Sequence, residues 1–174
     1  MKNFLGLVFS LTIISAICAA VLANVSALTE EPIKKMGEER KKSAVKAVMP
    51  AAVEKIEEAG EVFIGRDASG KVVGYAAEGV DAGGYGGDIK LMVGFEADAK
   101  TVVRYITLFA AETPGLGMKL SAPEFSGQFS GKDGSSLKVA KEGGQIEAIT
   151  AATITSSAVC RAIENAQKKA VAAK

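Results

Sequence analysis

Five hydroxyl side chains, Thr150, Thr153, Thr155, Ser156 and Ser157, crowd into the stretch that opens the last segment of the chain. Behind them Val159, Ala162, Ile163, Ala166 and Ala170 recur at helical spacing, and Lys168, Lys169 and Lys174 gather at the far end. That is an amphipathic helix whose cations sit where the macrodipole favours them. Its N-terminus therefore offers unpaired backbone N–H groups ringed by hydroxyls, a natural seat for phosphate. The same residues also read simply as a cluster of N-caps.

Other chemistry is restricted by what the chain lacks. It has no histidine, which excludes a Ser/His/Asp triad, a Cys/His nucleophile and the usual histidine metal centres. Its two cysteines, Cys18 and Cys160, cannot hold an iron–sulfur cluster by themselves. No metal site is expected, so any redox work falls to an organic carrier. Cys160 reads as a small core residue on the last helix. Acidic and basic residues are mixed at a net charge of +1, which gives no footprint for nucleic acid.

Two glycine-rich stretches flank the middle of the chain, Gly83-Gly-Tyr-Gly-Gly87 and Glu112-Thr-Pro-Gly-Leu-Gly117. Each serves as a turn, and each also lets backbone approach a flat ligand closely. Between them Ile89, Leu91, Val93 and Phe95 alternate with Asp88, Lys90, Met92 and Gly94 as a half-buried strand, and Val102 to Phe109 forms its neighbour after a turn at Glu96 to Lys100. The loop entering one strand and the loop leaving its antiparallel partner lie at the same end of a hairpin, where both can line one pocket.

These parts need a scaffold. Phe4 to Leu28 carries no charged side chain and exceeds the roughly 20 apolar residues that cross a bilayer. An uncleaved membrane anchor is expected. The rival is a signal peptide with small residues at Ala20, Ala23 and Ala27, although its apolar core usually runs only about 7–15 residues. The chain then divides into a short cytoplasmic tail at 1–3, a transmembrane helix at 4–28, a connecting segment at 29–43 and a domain at 44–174. Helical spacing continues through Val45, Val48, Met49, Ala52, Val53 and Ile56, with Pro50 starting or kinking a segment. Val62 to Ile64 and Val72 to Tyr75 flank Asp67-Ala-Ser-Gly70 as a hairpin, and Leu137 to Ala140 suggests an edge strand. The expected fold class is α+β, with one extracytoplasmic domain built on a mainly antiparallel sheet and a C-terminal helix.

Three motifs in order, Gly84-Tyr-Gly-Gly-Asp-Ile-Lys-Leu-Met-Val-Gly94, Glu112-Thr-Pro-Gly-Leu-Gly117 and Ile149-Thr-Ala-Ala-Thr-Ile-Thr155, follow the N-terminal anchor. The set resembles the FMN-binding domain of the G subunit of the Rnf electron-transport complex and of the related C subunit of sodium-translocating NADH:quinone reductase. That resemblance implies an FMN joined by a phosphodiester to Thr153 through the action of a separate flavin transferase. Thr150 and Ala152 match the family's Ser/Thr-Gly-Ala-Thr pattern, with Ala151 where glycine is usual and Glu147 where aspartate is usual. An alanine at 151 is harmless at negative φ and costly at positive φ.

The resemblance also implies that Ile154 and Thr155 border the cofactor and that Glu112, Thr113, Leu116 and Gly117, with Tyr85, Gly86 and Met92, lie near the isoalloxazine or its ribityl chain. No side chain is expected to act as acid, base or nucleophile; the flavin carries the electrons. The implied role is an electron-carrying subunit of a ferredoxin:NAD⁺ oxidoreductase that moves sodium ions or protons, working among other membrane and peripheral subunits. A flavin-free structural subunit and a freestanding anchored flavin reductase are the alternatives.

Overall fold

The computed structural model describes residues 2–174, with side chains from Phe4 onward. Helix α1 spans Lys2–Val48 without a break, carrying Pro32 inside it. Contacts divide the chain into two units, one ending at Glu39 and one spanning Arg40–Lys174. In the first, the side chains from Phe4 to Leu28 are exposed along a window of mean hydropathy 2.5. Such a surface is stable against lipid and unstable against water, so this run fits a membrane anchor.

The second unit is built on a five-stranded antiparallel meander. Strands β1 (Lys55–Ala59), β2 (Val62–Arg66), β3 (Val72–Gly84), β4 (Gly87–Glu96) and β5 (Val102–Ala110) lie in sequence order, each paired with the next. The turns between them are set by local chemistry. At Asp67 one carboxylate oxygen accepts from the amides of Ser69 and Lys71 while Gly70 takes φ +84°. Asp98 does the same between β4 and β5, accepting from the amides of Lys100 and Thr101 and from the Thr101 hydroxyl. Short polar side chains that mimic a turn's hydrogen bond favour both reversals.

Both sheet faces are covered. On one lies helix α3 (Thr153–Ala172), whose Val159, Ala162, Ile163, Ala166 and Ala170 pack on Ile89, Leu91, Val93 and Phe95. Gly79 makes this possible, since a Cβ there would collide with the Ala162 carbonyl. On the other face the last turns of α1 set Ala44, Val45 and Val48 against Ala76 and Met92. Strand β4 is thus buried on both sides from Leu91 to Phe95, not on one as its alternation suggests. The polar-looking side of the pattern is made of Met92 and Gly94, and Gly94 receives the Val48 carbonyl where a side chain would not fit.

Two local expectations are corrected. The helical spacing beyond Val48 does not continue: Pro50 ends the helix, Val53 lies in the following loop and Ile56 enters β1. Proline has no N–H to donate and pushes its predecessor out of the helical region, so tertiary pairing takes the segment instead. Leu137 to Ala140 is not an edge strand. Val139 makes a single bridge with Ile146, and residues Ala140–Glu142 wind into a 3-10 turn closed by Gly143 at φ +80°. Between β5 and α3 the chain runs through a 3-10 turn at Gly117–Ser121 and the short helix α2 (Pro123–Ser126). Phe125 and Phe129 stack edge-on there, and Phe129 meets Tyr105 the same way, each pair 5.4 Å apart. The Tyr105 hydroxyl donates to the Leu120 carbonyl, fixing the loop that leaves β5.

Candidate functional site

The two glycine-rich stretches meet at one end of the sheet. The first is the tight β3–β4 turn, with Gly84 paired to Gly87 and Gly87 at φ +109°. The second follows β5 and folds on itself, the amides of Leu116 and Met118 both donating to the Thr113 carbonyl while Gly115 takes φ +76°. Gly86 lies so close to the Ala111 carbonyl that only glycine fits. The third wall is the start of α3, held by a backbone turn in which the Ala152 amide donates to the Ile149 carbonyl at 2.9 Å. Ala151, inside that turn, has φ +61°.

Between the three walls lies a cavity of about 600 Å³, lined by Tyr85, Glu112, Thr113, Leu116, Gly117 and residues Ala151 to Thr155. Tyr85 stands at its edge, 73% exposed. The N-terminus of α3 opens toward the same space. Its N-cap residue is Ala152, which supplies no side-chain hydrogen bond, so the first-turn N–H groups are left for a ligand. The hydroxyl cluster does not cap the helix. Ser156 donates to the Ala152 carbonyl and accepts from the Ile149 amide, Ser157 donates to Glu142, and Thr155 donates to Glu112. The hydroxyls of Thr150 and Thr153 have no hydrogen-bond partner among the described residues, and of the two only Thr153 lines the cavity.

The remaining residues named from sequence fall elsewhere. Thr150 borders a neighbouring cavity of about 480 Å³ with Lys119, Phe125, Gln128 and Glu147. Gly86 touches the site only through its amide, which donates to Glu112. Met92 is brought nowhere near the cavity. Its side chain leaves the opposite face of β4 from Ile89 and Leu91, because strand side chains alternate, and lies buried beneath α1. Glu147 keeps its carboxylate exposed while Gln128 clamps its backbone, accepting from the amide at 2.8 Å and donating to the carbonyl at 3.2 Å.

A brace escaped the sequence reading. Arg161 on α3 donates to both oxygens of Asp81 on β3, at 3.0 and 2.9 Å, and Asp81 also accepts from the Gly83 amide. This pins the β3–β4 turn to the helix. An arginine six residues past one motif and an aspartate two residues before another carry no local signal; only the fold joins them. Burial pushes the Cys160 thiol up to about 12, with Glu142 adding to it, which makes the group inert at neutral pH.

Comparison with known proteins bears directly on this cavity. Residues 84–168, which span its three walls, match the model of the FMN-binding domain family. A relative from Methanosarcina acetivorans, the G subunit of an ion-translocating oxidoreductase complex, is 34% identical over 95% of this chain and 93% of its own length. The chain belongs to the G-subunit family of Rnf-type ion-translocating oxidoreductases. A second member of that family, from Acetobacterium woodii, is named as the G subunit of a Na⁺-translocating ferredoxin:NAD⁺ oxidoreductase complex and is 36% identical over 89% of this chain and 84% of its own. Among solved structures, the C subunit of the Na⁺-translocating NADH-quinone reductase of Parabacteroides distasonis superposes with a TM-score of 0.53 at 28% identity, over 63% of this chain and 60% of that one. NqrC of Shewanella oneidensis shares the fold at a TM-score of 0.50 and 21% identity, over 74% of each chain.

As a member of the G-subunit family, this protein is a redox component of a multi-subunit translocase, and its domain is an FMN-binding one. The cavity fits that cofactor in kind. Its volume falls within the about 300–1,000 Å³ usual for such ligands, it offers apolar surface from Leu116, Ile154 and Tyr85, and an uncapped helix N-terminus supplies the anion-binding end.

Proposed function

We propose that this protein carries FMN covalently, as a phosphodiester on the Thr153 hydroxyl, and relays electrons within a ferredoxin:NAD⁺ oxidoreductase coupled to sodium or proton movement. The observation that carries the proposal is the position of Thr153 as first residue of α3, lining the cavity with its hydroxyl uncommitted beside an uncapped helix end. Esterification by a flavin transferase leaves one phosphate charge, which the α3 N-terminus stabilises by about 0.3–1 kcal/mol if exposed. The covalent bond supplies permanence. Leu116, Ile154 and Tyr85 give the ring apolar cover, Thr113 and Gly117 complete the lining, Ala152 closes the turn and Thr155 ties the helix start to Glu112; Thr150, Gly86 and Met92 stand outside the lining. Bound FMN supplies electron transfer, and the chain's own residues position it and exclude water.

The anchor at residues 4–28 holds the domain on the membrane. The orientation we favour leaves residues 29–174, and so the flavin domain at 44–174, outside the cytoplasm. Partners are the other membrane and peripheral subunits of the complex.

Intact-mass and tandem mass spectrometry of the native chain tests this reading. A flavin adduct on the peptide containing Thr153, lost in Thr153→Ala, is the expected result. A bare Thr153 in cells with a working transferase refutes it and favours a structural subunit, a reading for which the positive φ of Ala151 speaks.

A further inference from the structure

Glu112 is buried, 6% exposed, yet it forms no ion pair among the described residues. A charge taken from water without a cation is costly unless hydrogen bonds and dipoles replace its hydration. Each of its oxygens finds a different wall of the cavity. Oε2 accepts from the Thr155 hydroxyl at 2.9 Å, in the first turn of α3, and Oε1 accepts from the Gly86 amide at 3.3 Å, in the β3–β4 turn. The first turn of α3 is also where a helix dipole favours an anion. Two glycines make the room. A Cβ on Gly84 would lie 2.8 Å from Oε1, and one on Gly117 would run into Oε2.

We propose that Glu112 is a positioning residue that locks the three walls of the cavity together, and that its negative charge holds down the potential of the flavin seated there. Thr155 is thereby a partner of Glu112 and not a ligand of the phosphate. The locking role stands without any cofactor; the effect on potential rests on the flavin reading above. A carboxylate in the wall opposes the negative charge that reduction adds, so removing it makes reduction easier.

The lock is tested in the flavin-free Thr153→Ala full chain by amide hydrogen exchange at Gly86 and by thermal melting. Glu112→Ala is expected to speed Gly86 exchange by about tenfold, the loss of one charge-assisted hydrogen bond. Adding Thr155→Val to it should lower the melting temperature no further, since both remove the same contact. Glu112→Gln should restore protection, its carbonyl taking the Gly86 amide and its NH₂ donating to the Thr155 oxygen. Wild-type Gly86 exchange in Glu112→Ala, or melting losses that simply add, overturns the proposal. Should Glu112→Ala fail to fold, Thr155→Val decides alone: faster exchange at Gly86 supports the lock and a wild-type rate overturns it. With Thr153 intact, Glu112→Gln should raise the flavin midpoint potential, and an unchanged potential overturns the electrostatic part. Mass measurement of the parent chain from cells with a working transferase shows whether flavin is attached, so a bare Thr153 there refutes the flavin reading and leaves the Gly86 result standing.

Discussion

Ala151→Gly should make this protein more stable, against the usual effect of adding glycine. Ala151 has φ +61°, inside the turn that delivers Thr153 to the cavity, and the left-handed conformation crowds a Cβ against backbone carbonyl oxygen. A non-glycine residue there costs roughly 1–2 kcal/mol. Glycine removes that strain but gives back about 0.4–1 kcal/mol through the larger entropy of the unfolded chain. At the midpoints of these ranges the difference favours glycine by roughly 0.8 kcal/mol, or about 3 °C in melting temperature for a domain of this size. Ala152→Gly is the control: its φ is −136°, so no left-handed strain is relieved and only the entropic loss and the buried methyl remain. The assay is thermal unfolding by circular dichroism on the flavin-free full chain, so that cofactor content does not enter. Ala151→Gly should melt above the parent and Ala152→Gly below it. If both melt below by similar amounts, the turn tolerates alanine and the strain argument fails.

Gly79→Ala should destabilise by at least about 1–3 kcal/mol, because its Cβ meets the Ala162 carbonyl and pries α3 from β3; denaturant titration checks it, and a wild-type midpoint would show that the helix can shift freely. Partial burial works to raise the Asp98 carboxyl, but bonds from the Thr101 hydroxyl and the amides of Lys100 and Thr101 hold it below the ordinary range, and bonds from Ser135 do the same for Asp133. With folded values below unfolded ones, the unfolded chain binds more protons on acidification. The stabilisation is therefore present above about pH 4 and lost as pH falls through the lower folded values. Melting temperature measured against pH should drop below that point, less steeply in Asp98→Asn, and an undiminished drop there would assign the acid sensitivity to other groups.

Local order was largely legible in the residues. The charge-free run from Phe4 to Leu28, the Asp67 and Asp98 turns, the period-two strand at Ile89 and the three- and four-residue spacing of α3 each depend on neighbours close in sequence, and each carries its signal there. The three glycine and threonine motifs likewise named the walls of the cavity. What spacing could not decide was which side of an element meets which partner. Met92 shares a strand with Leu91 and Val93, which pack under α3, but points beneath α1, Pro50 ends a helix whose apolar rhythm runs on to Ile56, and Ala151 takes the left-handed conformation that glycine would have chosen. The Glu112–Thr155 lock and the Asp81–Arg161 brace join residues 43 and 80 positions apart. Such contacts form only when the sheet brings distant segments together, because hydrogen bonding and burial act over a few ångströms of space whatever the separation along the chain.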